Sequence, residues 1–263
     1  RRRDRPPGVR HDRLSGESAL RLMGSLESEL DRARDLAVGD LADAIESIGF
    51  ECTRCGACCK GYDPDSDGDG EENATDDADA TDREPHTATV FPDEIRDLKD
   101  ATDYDWRDMA RPMPYGLDGD DGDQSGETFE WALQTDACGD CTFYEESEDG
   151  TGSCAVHDDR PLICQTYPFS VALGGTSQPM GEAVDGEGMV RAHECEGLGR
   201  DISREEAEEL AAALKERAIR EIEEAIAVRE NYEPRDVDGV VVHASEGQKR
   251  PDGTTVLDTK DGG

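Results

Sequence analysis

The chain has 263 residues, of which 65 are acidic and 28 are basic, giving a formal net charge of -37 at pH 7 and a sequence pI near 4.2. This charge repels DNA, RNA and anionic lipid, so the composition argues against nucleic acid or a membrane as a partner. Like charges also oppose folding unless salt screens them, and the Debye length falls to ~3 Å at molar salt. Because only five of the basic residues are lysines, the composition predicts a cytoplasmic protein of an extreme halophile. No stretch approaches the roughly 18 consecutive apolar residues that a membrane helix needs.

We predict three segments along the chain. Residues 1–13 combine charges with prolines and contain no apolar run, so we expect a disordered N-terminal segment. Residues 14–232 are predicted to form one cysteine-cluster domain, and residues 233–263 to follow it as a C-terminal hairpin or tail. Residues 61–84 contain no Leu, Ile, Val or Phe. We therefore expect this stretch and residues 117–127 to be acidic loop insertions on the surface.

The first and last helices carry the clearest signals. Apolar side chains recur at steps of three and four over residues 14–48, which is typical of an amphipathic helix. We expect Gly39 and Asp40 to divide this helix and Gly49 to end it. A second such pattern begins with a capping box and predicts a long helix over residues 203–230.

Shorter elements lie between these helices and after them. The stretch TATVF predicts a strand, and Pro92 with Asp93 predicts the start of a helix directly after it. Residues 128–134 predict a further strand, and DYDWRDMA predicts a helical turn. Two β-rich runs around a turn at residues 251–253 predict a hairpin. The fold class is therefore α+β: a small, helix-rich, metal-pinned domain with short strands and long acidic surface loops.

Nine cysteines stand out against this acidic background, and four of them fall within eight residues, CTRCGACC. Disulfides are disfavoured by the odd count and by the reducing compartment that we expect. Burial as small apolar side chains suits a scattered cysteine but does not suit four so close together. Short C-x-x-C loops let two thiolates meet at one ion, so the spacing favours metal binding. The cysteines are Cys52, Cys55, Cys58, Cys59, Cys138, Cys141, Cys154, Cys164 and Cys195.

The spacing leaves the metal open. The C-x-x-C-x-x-C pattern from Cys52 to Cys58 resembles three ligands of a [4Fe–4S] cluster, although the Cys-Pro that supplies the fourth in bacterial ferredoxins does not follow. The loops CTRC and CGDC equally suit Zn²⁺. Arg54, Lys60 and Arg160 are close to cysteines in the sequence and could offset the charge of the thiolates, or could be ordinary surface cations. An EF-hand-like match over residues 63–74 ends in alanine where glutamate is needed, so it predicts no calcium site.

The ordered segments CTRCGACCKG, CTFY, GSCAVHDDRPLICQTYPF and CEGLG resemble the YkgJ-type cysteine-cluster family over roughly residues 50–200. Members of that family are described as zinc- or iron-chelating proteins, and flagellin lysine N-methylase is a relative. The sequence departs from the family pattern at His157, where an aromatic residue is usual, and at Gln165, where arginine is usual. The resemblance implies a metal site formed by Cys52, Cys55, Cys58, Cys59, Cys141, Cys154, Cys164 and Cys195, with Cys138 outside it.

Three functions are compatible with this sequence. The first is a metal-binding protein that holds Zn²⁺ or an iron–sulfur cluster and has no assigned reaction. The second is an iron–sulfur enzyme related to the protein-lysine N-methylase, and the third is a non-catalytic adaptor that binds a protein partner through the helix at residues 203–230. His157 and His193 are further candidate ligands, but we expect packing roles for both rather than metal ligation. No catalytic motif is present in the sequence, so the catalytic residues stay unassigned.

Overall fold

A computed structural model describes residues 16–62, 83–119, 123–173, 183–235 and 238–256, with side chains from residue 26 onward. The six helices of this part of the chain are α1 (Gly16–Asp35), α2 (Val38–Ile48), α3 (Pro92–Ala101), α4 (Trp106–Met109), α5 (Leu162–Thr166) and α6 (Arg204–Asn231). The N-terminal segment 1–13 and most of the insertion 61–84, including the EF-hand-like match, lie outside the described residues. Helices and several small sheets together make the protein α+β, as predicted.

The strands are short and form four small sheets. In order across each sheet these are β1-β5-β2, β8-β10-β9, β12-β11-β4-β3 and β6-β7. The twelve described strands are β1 (Thr89–Val90), β2 (Ala110–Pro112), β3 (Leu117–Asp118), β4 (Ser125–Thr128), β5 (Trp131–Leu133), β6 (Tyr144–Glu146), β7 (Gly152–Cys154), β8 (Phe169–Val171), β9 (Ala183–Asp185), β10 (Val190–His193), β11 (Val240–Ala244) and β12 (Gly247–Lys249).

The break between the first two helices does not lie where the sequence predicted it. Helix α1 ends at Asp35 and α2 begins at Val38, so Gly39 and Asp40 lie in the first turn of α2. Extended Ala37 accepts the first hydrogen bonds of α2, and an acidic Asp40 is favourable at a helix N-terminus. Gly49 ends α2 as predicted, with a φ of 78° and its N–H bound to a carbonyl of the last turn.

The first hydrophobic core lies between the helices and one sheet. Helix α6 packs against α1, α2 and α5, and strand β8 lies against the same helix. The predicted capping box of α6 is present, since the side chains of Ser203 and Glu206 each bind the main-chain N–H of the other. Leu41 and Ile45 of α2 meet Leu214 of α6 in this core. Among the described helices, none is long and apolar enough to cross a membrane.

The second hydrophobic core carries most of the remaining strands. Sheet β1-β5-β2 contributes Trp131 and Leu133, and helix α3 contributes Ile95 and Leu98, all fully buried. The strand predicted at residues 128–134 is divided in two, because β4 ends at Thr128 and β5 begins at Trp131 in a different sheet. This core also holds Cys141, so it positions the cysteine segments described below.

The predicted C-terminal hairpin is present, but its turn lies elsewhere. Strands β11 and β12 are joined at Ser245–Glu246, where Gly247 follows with a φ of 93°. The Pro251–Gly253 sequence forms a second turn, which returns the chain beside β12. Strand β11 also pairs in parallel with β4, and β4 pairs with β3. Both described ends of the predicted acidic loop at residues 117–127 are therefore strand residues.

Candidate metal centre

All nine cysteines are free thiols, and no disulfide joins any of them. They differ in exposure to solvent. Cys52, Cys58 and Cys138 are exposed, Cys141 is buried, and the remaining five are half-buried. A thiophilic metal would therefore find a donor set of thiols that stay reduced, three of them open to solvent.

The CTRCGACC segment is held by main-chain contacts on both sides. At its start, Phe50 forms a β-bridge with Leu198, and the N–H of Glu51 donates to the carbonyl of Gly197 at 3.0 Å. In its middle, Gly56 has a φ of 78° and opens the 3-10 turn Ala57–Cys59. Only glycine adopts such a φ without strain. The reversal places the two halves of the motif in different surroundings.

Glycine at position 56 is also required by a close contact. The ring and hydroxyl of Tyr144 occupy the space that a Cβ at Gly56 would fill, and the same ring lies against Gly152. The Tyr144 hydroxyl donates to the Glu146 carboxylate at 2.6 Å, and the Lys60 ammonium lies 5.3 Å from the ring centroid. Tyr144 thus joins the turn at Gly56 to the β6–β7 hairpin through direct contacts with both.

One group of thiols gathers at the second hydrophobic core. The N–H of Cys141 donates to the carbonyl of Cys59 at 2.7 Å, which joins two segments distant in sequence. Strand pairing places Cys154 opposite Tyr144. Tyr144 follows Cys141 by three residues. Cys164 lies on α5 and, like Cys59 and Cys154, packs against the core that contains Cys141.

A second group lies near the bridge between Phe50 and Leu198. The N–H of Gly197 donates to the Sγ of Cys195 at 3.4 Å, an interaction that orients this sulfur. Burial raises the pKa of the Cys195 thiol, and the neighbouring thiols of Cys58, Cys55 and Cys52 raise it further. Cys195 is therefore an electrostatic neighbour of the whole C-x-x-C-x-x-C motif.

Cys58 lies between the two groups. Its Sγ is 3.9 Å from the Sγ of Cys59, and this contact, more than burial, raises the pKa of Cys58. Burial is the main reason why the pKa of Cys141 rises to about 11 and that of Cys164 rises well above its ordinary value. Without metal these thiols hold their protons at neutral pH, so a binding cation would have to displace them.

The sequence predicted Arg54, Lys60 and Arg160 near the thiols, and the charge of Arg160 changes the pKa of two of them. It lowers the pKa of Cys58 and of Cys154 against the stronger effects that raise them. The ammonium of Lys60 instead pairs with the Glu146 carboxylate. Arg54 contributes through its carbonyl, which accepts from the N–H of Gly152 at 2.7 Å.

Three further residues with side chains that can bind metal, His157, His193 and Cys138, make other contacts. The ring of His157 is exposed and lies 3.4 Å from the carboxylate of Asp158. His193 is buried, and its Nε2 lies 2.8 Å from the Ser170 hydroxyl. Cys138 is exposed in a turn where its N–H donates to the Asp136 carboxylate at 2.8 Å. Packing accounts for His193 and turn formation for Cys138, whereas the exposed ring of His157 does not take the packing role that the sequence predicted.

Two residues near the thiols were missed by the sequence reasoning. Burial raises the pKa of the Tyr167 phenol, and the charges of Cys195 and Cys58 add to this effect. The Tyr167 hydroxyl donates to the carbonyl of Glu194, next to Cys195 in sequence. The carboxylate of Glu94 accepts from the N–H of Leu162, at the start of the helix that carries Cys164. Both contacts span distant parts of the chain, so neither leaves a local sequence signal.

The donor chemistry fits a thiophilic metal, although the side chains are not drawn together around one point. Among the described His, Cys, Asp and Glu residues, no group of three or more is arranged to hold a metal ion. Zinc–sulfur bonds are ~2.3 Å long. A bound ion would therefore have to rotate the neighbouring thiols inward. Half-buried and exposed cysteines next to a glycine turn have the freedom to do so.

Small sheets, a helical core and clustered free thiols define this molecule as a cysteine-cluster domain of α+β architecture. Residues 51–196 match the family model CxxCxxCC, described as "Putative zinc- or iron-chelating domain". The match covers more than half of the chain and includes the eight cysteines of the predicted site, so the protein belongs to this family. No curated protein and no solved structure matches the chain.

Proposed function

We propose that residues 51–196 chelate a thiophilic metal, as Zn²⁺ or as an iron–sulfur cluster, and that the metal holds the surrounding short strands together. One observation carries this proposal: cysteines from distant segments remain free thiols and meet at one hydrophobic core. The family match supports the same class of ligand. The proposed ligands are Cys52, Cys55, Cys58, Cys59, Cys141, Cys154, Cys164 and Cys195.

The architecture explains why a metal would be useful here. Strand β1 has two residues and β6 and β7 have three each, so their ladders contain few hydrogen bonds. The pair β6–β7 is a two-stranded ribbon, which in isolation is marginally stable at best. Structural Zn²⁺ can contribute on the order of 10 kcal/mol to folding. A cross-link among Cys59, Cys141 and Cys154 would therefore stabilise a region that its sheets alone support poorly.

The chain itself supplies what thiolate ligands need. Arg160 offsets their negative charge, and the N–H of Gly197 supports the sulfur of Cys195. Tyr144 fixes the turn that divides the motif. When bound, Zn²⁺ would supply a cross-link without redox chemistry, whereas an iron–sulfur cluster would add the capacity to transfer an electron.

The test is the metal content of the full chain, purified without oxygen in molar KCl. We expect stoichiometric zinc in a colourless protein, or iron and sulfide in a brown one. Removal of the metal by a chelator should lower the thermal unfolding temperature. Absence of both metals, together with an unfolding temperature that a chelator leaves unchanged, would overturn the proposal.

A further inference from the structure

We infer that the eight cysteines form two separate four-thiolate sites, an inner site and an outer site, rather than one. The inner site comprises Cys59, Cys141, Cys154 and Cys164, and the outer site comprises Cys52, Cys55, Cys58 and Cys195. This inference rests on the proposed metal chelation and specifies how the ligands are shared.

The inner site is defined by a common hydrophobic environment. Cys141 is part of the second core, and Cys59, Cys154 and Cys164 pack against that same core. The 2.7 Å hydrogen bond from Cys141 to the carbonyl of Cys59 fixes the spacing of two of them. Four thiols with apolar surroundings resemble a closed structural Zn²⁺ site.

The outer site is defined by the bridge that joins the start of the motif to the late cysteine. The hydrogen bond from Glu51 to the carbonyl of Gly197 brings the start of the motif, next to Cys52, to the segment that carries Cys195. Cys52, Cys55 and Cys58 follow one another at C-x-x-C spacing, which suits ligands of one ion. Cys52 and Cys58 are exposed. This site therefore lies nearer to solvent than the inner one.

The adjacent Cys58 and Cys59 are assigned to different sites because their surroundings differ. Consecutive side chains in a 3-10 turn are rotated by about 120° around the helix axis, and both residues lie in the turn Ala57–Cys59. Cys58 is exposed, whereas Cys59 is half-buried and contacts the second core. The Sγ atoms of the two residues are 3.9 Å apart, so the inner and outer sites would adjoin at this turn.

The number of donors agrees with two sites. Structural Zn²⁺ is tetrahedral, and iron–sulfur clusters are held by four cysteines. Eight thiolates around one centre would leave half of them without a metal bond. Two centres would instead use all eight, and Cys138 would stay free in its exposed turn.

The experiment uses the full chain, reduced, stripped of metal and titrated with Zn²⁺ in molar KCl. Single variants Cys164→Ser and Cys195→Ser each remove one site, and Cys138→Ser is the matched control. We expect two zinc ions per chain for the unmodified protein and the control, and half that number for each of the two variants. Mass spectrometry after alkylation then identifies the thiols that the remaining zinc protects.

The pattern of protection decides the question even where a variant is less stable. In Cys195→Ser the inner thiols should stay protected while Cys52, Cys55 and Cys58 become alkylated. In Cys164→Ser the outer thiols should stay protected while Cys59, Cys141 and Cys154 become alkylated. A single zinc per chain in the unmodified protein would overturn the two-site inference while leaving metal chelation intact. Loss of protection at all remaining ligands in both variants would do the same. Failure of the unmodified chain to bind any zinc or iron would overturn both.

Discussion

The main-chain N–H of Cys141 donates a 2.7 Å hydrogen bond to the carbonyl of Cys59. In the sequence, these two residues lie on either side of the acidic insertion. The two ends of the insertion are also joined, because Tyr62 and Glu84 exchange main-chain hydrogen bonds of 2.9 and 2.8 Å. The chain therefore leaves and re-enters the cysteine region at the same place. The length of the segment between these ends should matter little to the thiols.

Replacement of residues 64–81 by a five-residue Gly-Ser linker tests this relationship. Closing a loop costs only about 0.6 kcal/mol more for each doubling of its length, so the shortened chain should be more stable by about 1 kcal/mol. Its metal content should be unchanged. Chemical unfolding and elemental analysis of both chains provide the comparison, and a shortened chain without metal would show that the insertion contributes ligands.

Gly197 should be sensitive to substitution because of the close approach of Glu51. A Cβ at Gly197 would overlap the carbonyl oxygen of Glu51, which is main chain and cannot move aside alone. We expect Gly197→Ala to cost about 1–3 kcal/mol, as overpacking generally does, and to weaken metal retention at Cys195. Gly186→Ala is the control, since a Cβ there meets nothing nearer than 4.0 Å. Equal unfolding free energies for the two variants would contradict this account.

Arg217 and Arg204 offer a matched comparison on helix α6. Buried Arg217 donates to Glu221, to the Thr166 hydroxyl at 3.0 Å and to the Phe169 carbonyl at 3.2 Å. Its loss would remove the ion pair of half-buried Glu221 and leave the Phe169 carbonyl without this donor, so Arg217→Met should cost about 3–5 kcal/mol. The ion pairs of Arg204 are exposed to solvent, and Arg204→Met should cost less than about 1 kcal/mol. Denaturant midpoints at constant salt measure both, and similar losses would show that burial is not the deciding factor.

Glu94 should make stability depend on pH in an unusual direction. Burial raises the pKa of this carboxyl above its ordinary value of 4.5, despite hydrogen bonds from Phe91 and Leu162. The folded state therefore holds this proton more tightly than the unfolded state, and the stabilisation is lost as the pH rises from 4.5 through the raised pKa. The unfolding free energy of the unmodified chain should therefore fall relative to that of Glu94→Gln, which has no proton to release at this position, over that range.

The control for this titration is Asp97→Asn, on the exposed side of the same helix. The change at Glu94 is compared with that of this surface variant of the same helix. If the unfolding free energy of the unmodified chain instead rose relative to that of Glu94→Gln with increasing pH, the carboxyl would be stabilised in its charged form and the assignment would be wrong.

Local signals predicted the elements that local physics controls. The capping box at Ser203 and the glycine stop at Gly49 are decided by neighbouring residues, and both were predicted correctly. The hairpin turn was misplaced, because Pro251–Gly253 is a strong turn signal that the chain uses one turn later. The position of the hairpin turn follows from the pairing of β11 with β12 and with β4, and β4 is distant in sequence.

The candidate site was predictable in composition but not in arrangement. Spacing alone indicated that the cysteines are clustered for metal binding, yet it could not separate the roles of Cys58 and Cys59. Their difference arises in part from the hydrogen bond between Cys59 and Cys141, which is distant in sequence. The importance of Tyr144 was hidden for the same reason, since its partner Gly56 lies across the insertion.

Metal chelation by eight of the nine thiols is tested most directly by counting reactive cysteines in the folded, metal-bearing protein. Cys52, Cys58 and Cys138 are all exposed, so all three would react with a thiol reagent at once if no metal held them. We expect Cys138 alone to react before a chelator is added, and all nine cysteines to react after chelation and denaturation. Rapid reaction of Cys52 and Cys58 in the freshly purified folded protein, unaffected by a chelator, would contradict the account.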